Sequence, residues 1–243
     1  MDPALGEPQR RLRDEAGDRQ RQRAGLVAAV AGLMLVPWFW AIDPIAGLRP
    51  VSPSLGEPDQ AFIDFYAANV SRIPLNTTLY VGQWVILLVL LVAVVHAACR
   101  RLGFAAILAI ALASAATAIY VVAEGVLLWP VYAADMSAGR LRDDLDPTLA
   151  RSAVLSRDGL HAPASVLLGV SVLVMARLLG RSDLWGHRVM SALALGAGAF
   201  ALSSILVGPE GFGPGFVFVL WGPVTAIILL VGRRRSGSRA SAP

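Results

Sequence analysis

Thr117, Tyr120 and Glu124 stand three and four residues apart in a segment that is otherwise uncharged from Phe104 to Ala134. On a helix that spacing puts a hydroxyl, a phenol and a carboxylate on one face. A charge in hydrocarbon costs at least ~2.5 kcal/mol on insertion scales, so a carboxylate there marks a proton, ligand or ion-pair site. The preceding apolar segment carries Tyr80 and Gln83 on one face of its own. The CRRLG connection between the two, Cys99–Gly103, is short enough to force an antiparallel helical hairpin. In that register Gln83 comes to the level of Tyr120, and Glu124 to that of Leu79 with Tyr80 beside it. Tyr80, Gln83, Thr117, Tyr120 and Glu124 are therefore the candidate polar site, between the second and third apolar segments.

Depth decides how demanding that site is. From Arg101 to Glu124 a helix rises about 35 Å at ~1.5 Å per residue, more than the ~30 Å of the hydrocarbon core. Glu124 then lies at the outer boundary, with Gln83 and Tyr120 about one turn deeper. Two readings remain open. The carboxylate is a clasp bonded to Tyr80 or to an outer-loop arginine, or it guards a cavity that binds a ligand or a proton.

Other chemistries find less support. His96 and His187 sit at the inner ends of the second and fifth apolar segments. A haem would need them as paired axial ligands facing one cavity, and no spacing motif accompanies them. Bonds to backbone carbonyls, headgroups or water account for both, and no cofactor is expected. Asp143, Asp144 and Asp146 are interleaved with arginines in RLRDDLD. A calcium loop needs six or more oxygens, so a solvated face is the expectation and no metal site is assigned. Ser203 and Ser204 lack a G-x-S-x-G turn or a His-Asp/Glu set, and neither HExxH nor a P-loop occurs. Gly-rich GPEGFGPG, 208–215, is a turn with no strand before it. Catalytic residues are accordingly not assigned, and enzymatic activity is not expected.

The elements that must hold these residues follow from composition. Of the 243 residues 56% are hydrophobic and only 16% charged, and the mean hydropathy is +0.63. A soluble domain carries about a quarter of its residues as charges, so this is a membrane composition. Six apolar segments, about 24–42, 79–99, 104–130, 163–180, 187–207 and 215–232, approach the ~20 residues a helix needs to span the bilayer. Backbone groups find no water there, so the segments must be helical. The expected fold is all-α: a polytopic membrane protein, a six-transmembrane-helix bundle with short helices in two outer loops.

All 21 basic residues are arginine. With six spans, Arg10, Arg11, Arg13, Arg19, Arg21, Arg23, Arg100, Arg101, Arg177, Arg181, Arg188, Arg233, Arg234, Arg235 and Arg239 fall on one side. Cytoplasmic segments retain positive charge, which places both termini in the cytoplasm. The net charge of +4 is thus an orientation signal and does not point to nucleic acid. The aromatic PWFW that closes the first segment, Pro37–Trp40, argues for a true span rather than a cleaved signal peptide. Residues 1–23 are polar and mixed in charge, and read as a disordered cytoplasmic tail. The membrane domain is 24–232, and 233–243 form a second cytoplasmic tail. The lone Cys99 excludes an intramolecular disulfide.

The loops carry their own signals. Phe62, Phe65, Tyr66, Val70 and Ile73 recur at helical spacing in outer loop 43–78, which predicts an amphipathic helix on the membrane surface or capping the bundle. In outer loop 131–162, Asp146-Pro147 opens a helix and Gly159 closes it, predicting a separate helix over about 147–158. In the fifth segment Ala192/Gly196, Ala194/Gly198 and Ala197/Ala201 lie four apart. Such pairs let backbones approach closely, within the chain or between copies of it.

FIDFYAANVSRIPLNTTLYVGQWVILL, Phe62–Leu88, is an aromatic and acidic outer segment leading into a polar-starting span. In this it resembles uncharacterised multi-span integral membrane proteins of high-GC actinobacteria, of about six helices and unknown function. The resemblance covers about 24–232; it implies a plasma membrane and transfers no catalytic residue. The leading expectation is a non-enzymatic accessory or interaction component that meets lipid along its spans and partners through loops 43–78 and 131–162. The alternative is a small transporter or lipid-handling protein with an outward-opening polar site. An intramembrane enzyme or haem protein stands third.

Overall fold

The computed structural model describes residues 7–47, 52–99, 101–133, 145–207 and 217–240. Among them every regular element is helical. They are α1 (Glu7–Ala46), α2 (Asp59–Asn69), α3 (Ile73–Ala98), α4 (Phe104–Val126), α5 (Leu128–Ala133), α6 (Pro147–Gly180), α7 (His187–Val207), a π-helical turn (Val217–Trp221) and α8 (Gly222–Ala240). Four stretches are long and apolar enough to cross a membrane: Glu15–Ile42, Ile73–Ala98, Phe104–Ala133 and Pro147–Gly180.

Packing runs round the bundle in the order α8, α1, α3, α4, α6, α7, and the π turn links α7 back to α1 and α8. At that link Trp221 is fully buried and its indole Nε1–H donates to the Met190 carbonyl at 3.2 Å. Lipid tails are as apolar as leucine, so helices in a bilayer adhere mainly through close packing. Small residues provide it here. A Cβ on Gly32 would stand 2.6 Å from the Gly222 carbonyl oxygen, and one on Gly169 would stand 2.9 Å from that of Gly198. The contacts α1/α8 and α6/α7 thus exist only because these positions have no side chain. Ala194, Ala197, Gly198 and Ala201 are consumed by packing within the chain, whereas Ala192 and Gly196 face outward.

At one end, α2, α5 and the start of α6 form a cap. Phe62, Phe65 and Tyr66 of α2 are fully buried with Leu127, Val131, Ala150 and Val154. Arg151 staples this cap: it donates to Asp59 Oδ1 and to the Leu55 carbonyl, both at 2.8 Å, and lies 5.6 Å over the Phe62 ring. The expected amphipathic helix is therefore α2, in its capping role.

Three expectations about element boundaries are corrected. The tail 1–23 is helical from Glu7 onward, because the first span supplies the nucleus and propagation toward the N-terminus then costs little. Residues 1–6 lie outside the described residues. Likewise α8 continues through 233–240 instead of ending with the last apolar residue. The third correction matters most. The helix opened by Asp146, whose Oδ1 accepts the Thr148 N–H at 2.8 Å, does not stop at Gly159 but runs unbroken through Pro163 to Gly180. Proline removes one backbone bond and crowds the carbonyl four residues earlier, but contacts to the cap on one side and to α4 and α7 on the other hold the helix together. Asp143, Asp144 and the turn 208–215 lie outside the described residues.

A side chain at Gly198 should push α6 and α7 apart. Gly198→Leu is expected to lower thermal stability in detergent by about 1–3 kcal/mol, the usual cost of overpacking. Gly196→Leu, at a position whose Cβ meets nothing within 4 Å, should leave the melting temperature unchanged in the same assay.

Candidate functional site

Tyr120 and Glu124 share one face of α4, as their spacing requires, but the helix across from that face is α6 more than α3. Tyr120 Oη lies 2.5 Å from Ser165 Oγ, and one turn further along, Glu124 Oε1 accepts from His161 Nε2 at 3.2 Å. Glu124 Oε1 also accepts from Arg157 Nε, at 3.2 Å, and stands 3.2 Å from its Nη2. Arg157, His161 and Ser165 are four apart along α6, the stripe that meets Tyr120 and Glu124 in antiparallel register. Arg157 Nη1 lies 3.6 Å from Asp158 Oδ1.

The contribution of α3 is real but different in kind. Trp84 stacks on Tyr120 with ring centroids 3.6 Å apart, and Thr77 Oγ1–H donates to the Glu124 backbone carbonyl at 3.3 Å. The hairpin register read from the sequence is thus the observed one. Gln83 and Thr117 are buried, and Tyr80 is half-buried near Arg157. The expected polar patch between the second and third spans is corrected to a seam among α3, α4 and α6. What hid the α6 residues was the supposed break at Gly159: it left Arg157 at the end of one short helix, His161 between elements and Ser165 in the next span, so their common spacing went unread.

Burial decides what the seam is. Glu124 is 1% exposed, Gln83 2% and Tyr120 3%, and the Arg157 side chain is 14% exposed. Of the two readings of Glu124, the packed clasp matches the burial of its carboxylate, while Arg157 and His161, 14% and 18% exposed, are the members that reach toward the surface. Above the ion pair sits Tyr66 of the cap, fully buried. Burial pushes its phenol above the ordinary tyrosine range, and the nearby Arg157 guanidinium opposes that rise. A carboxylate and guanidinium in fork-to-fork geometry would use both carboxylate oxygens. Here the donors converge on Oε1, and neither Glu124 Oε2 nor Tyr66 Oη has a hydrogen-bond partner among the described residues.

The remaining candidates stay apart. His96 Nδ1–H donates to the Val92 carbonyl and His187 Nδ1–H to the Leu184 carbonyl, each at 2.9 Å, so each ring is held by its own backbone. Among the described residues no cluster of three or more His, Cys, Asp or Glu side chains gathers in metal-binding geometry. Asp146 is spent on its helix cap. No family model matches the chain, and neither a curated protein nor a solved structure does.

Removing one member of a buried ion pair leaves the other unpaired, at a cost of about 3–5 kcal/mol. Glu124→Leu is therefore expected to destabilise the protein strongly in thermal melts. Arg157→Met in the Glu124→Leu background should recover most of that loss, giving a large coupling energy in a double-mutant cycle. Additive losses from the two single changes would remove the pair from its structural role.

Proposed function

We propose that the chain is a six-span protein of a bacterial plasma membrane, with both termini cytoplasmic, that serves as a non-enzymatic accessory or interaction component through its outer cap. Support for six spans comes from α7 and from the π turn with α8. These complete the ring of helices and leave Val189, Leu195, Phe200, Leu220 and Ile227 turned outward, as a lipid-facing surface requires. Orientation follows from the arginines, since the end of the bundle remote from the cap collects most of them.

The observation that carries the functional reading is the burial of the carboxylate at the centre of the polar seam. Glu124 bonds to Arg157 and His161, and Tyr120 to Ser165, beneath the cap. A site built to bind and release a solute needs an accessible acceptor, and the Glu124 carboxylate is 1% exposed. What the cap offers instead is an exterior. Leu55 is 69% exposed, Trp129 62% and Tyr132 73%. Large apolar side chains at the rim of a rigid platform suit contact with a partner and with the membrane interface. The outward-facing Ala192/Gly196 pair adds a surface through which a second copy can approach in the bilayer.

Two measurements bear on this. With Cys99 replaced by serine, a membrane-impermeant maleimide should label Gln60→Cys on intact cells and label Gly17→Cys only after the cells are opened; the reverse pattern would invert the topology. A photo-crosslinking residue at Gln60 or Trp129 should recover the same partner repeatedly from native membranes. Consistent recovery of uncrosslinked protein would refute the interaction role.

A further inference from the structure

At the end of the bundle opposite the cap, α1, α8 and the connection between α6 and α7 enclose an open cleft of about 510 Å³. That lies within the roughly 300–1,000 Å³ typical of small-molecule sites. Its two halves differ in chemistry. Leu26 of α1 and Leu229 of α8 belong to the apolar wall, while Asp18, Arg21 and Gln22 of α1 and Asp183 of the connection form the mouth. Trp185, 44% exposed, stands at the junction. A tryptophan between an apolar wall and charged residues has the composition of a membrane–water boundary.

The charges at the mouth select what fits. Arg21 is tied down: its Nε–H donates to the Ala97 carbonyl at 3.1 Å, and Nη1 and Nη2 donate to Asp183. A guanidinium has five N–H donors, so two remain for an acceptor such as a phosphate oxygen. Asp18, 67% exposed and only 3.9 Å from Arg21 Nη1, has no short hydrogen bond to that arginine. The described lining thus sets the guanidinium of Arg21 beside the carboxylate of Asp18, a pattern that suits a zwitterionic headgroup. It favours one that presents a phosphate to Arg21 and Gln22 and a cation to Asp18. An acyl chain supplies the apolar part. We infer that this cleft binds a phospholipid with a primary-ammonium headgroup, its chain between α1 and α8 and its ammonium on Asp18. The inference rests on membrane embedding, not on which end faces the cytoplasm or on any partner of the cap.

Gly25 allows a direct test, because it lines the cleft and a Cβ there meets nothing within 4 Å. Leucine at this helical position fills space without displacing a neighbour. The full-length protein in mild detergent is titrated with dioleoyl phosphatidylethanolamine, phosphatidylcholine and phosphatidylglycerol, and bound lipid is counted by native mass spectrometry. Phosphatidylethanolamine should be retained about fivefold better than either of the others, the advantage of one partly exposed ion pair. O-phosphoethanolamine, the headgroup without chains, should not bind. Asp18→Asn, at an exposed position, should bring phosphatidylethanolamine down to the level of phosphatidylcholine. Gly25→Leu should reduce retention of all three while the melting temperature holds. Equal retention of the three lipids by the unmodified protein, or selectivity untouched by Asp18→Asn, would overturn the assignment.

Discussion

The ion pair between Glu124 and Arg157 is the constraint on which the rest of this structure turns. Taking two such ions out of water costs several kcal/mol each, and their attraction offsets this only when the geometry is good and other donors help. His161 is the additional donor here. The pair joins two different helices, so it also fixes how they slide. Moving α6 by one turn along α4 would displace Arg157 by about 5.4 Å and strand both charges. The same register brings Ser165 to Tyr120, and deeper still Ser171 Oγ–H to the Ala109 carbonyl at 2.8 Å. One expensive contact thereby specifies a ladder of cheaper ones, much as a buried polar residue sets register in a coiled coil.

The cap follows from the same requirement. A guanidinium at a helix level that water can reach would be solvated and its partner only loosely held. Phe62, Phe65, Tyr66 and Val131 form the buried apolar core of the cap, and the Arg157 side chain is left 14% exposed. Arg151, two helical turns before Arg157 less one residue, then holds α2 in place from the same helix. A continuous α6 is what allows one element to carry both arginines. A helix ending at Gly159 with a loop to a separate span would have given Arg157 no rigid link to the membrane segment.

How much of this was legible in the sequence varies with the physics that produced it. The helical character followed from hydropathy alone, because a bilayer leaves the backbone no other way to satisfy its hydrogen bonds. The α3/α4 register followed from the length of CRRLG, and the Trp84/Tyr120 stack and the Thr77 bond agree with it. The burial of Phe62, Phe65 and Tyr66 was visible as a periodic pattern. The path of α6 was not. Gly159 and Pro163 are local stop signals, and tertiary contacts on both flanks overrode them. That single misreading split the α6 side of the seam, since a stripe of Arg157, His161 and Ser165 exists only on an uninterrupted helix. The α1 extension was hidden for the opposite reason: its charged composition looks like solvated coil until a preformed helix is attached to its end.

The two ends of the bundle use the same chemistry at different burial, and the difference separates their roles. Arg157 meets a carboxylate whose side chain is 2% exposed, so its attraction is poorly screened and releasing it would leave a charge in a dry seam. Arg21 meets Asp183, whose side chain is 55% exposed. The Arg21 side chain is itself only 16% exposed, so it is the carboxylate of this pair that water or a charged headgroup can reach. Exchange of partners is thus easier for that carboxylate at the cleft than for Glu124 under the cap. The buried pair has the properties of a structural clasp, and the half-exposed one those of a surface whose carboxylate can meet an outside partner.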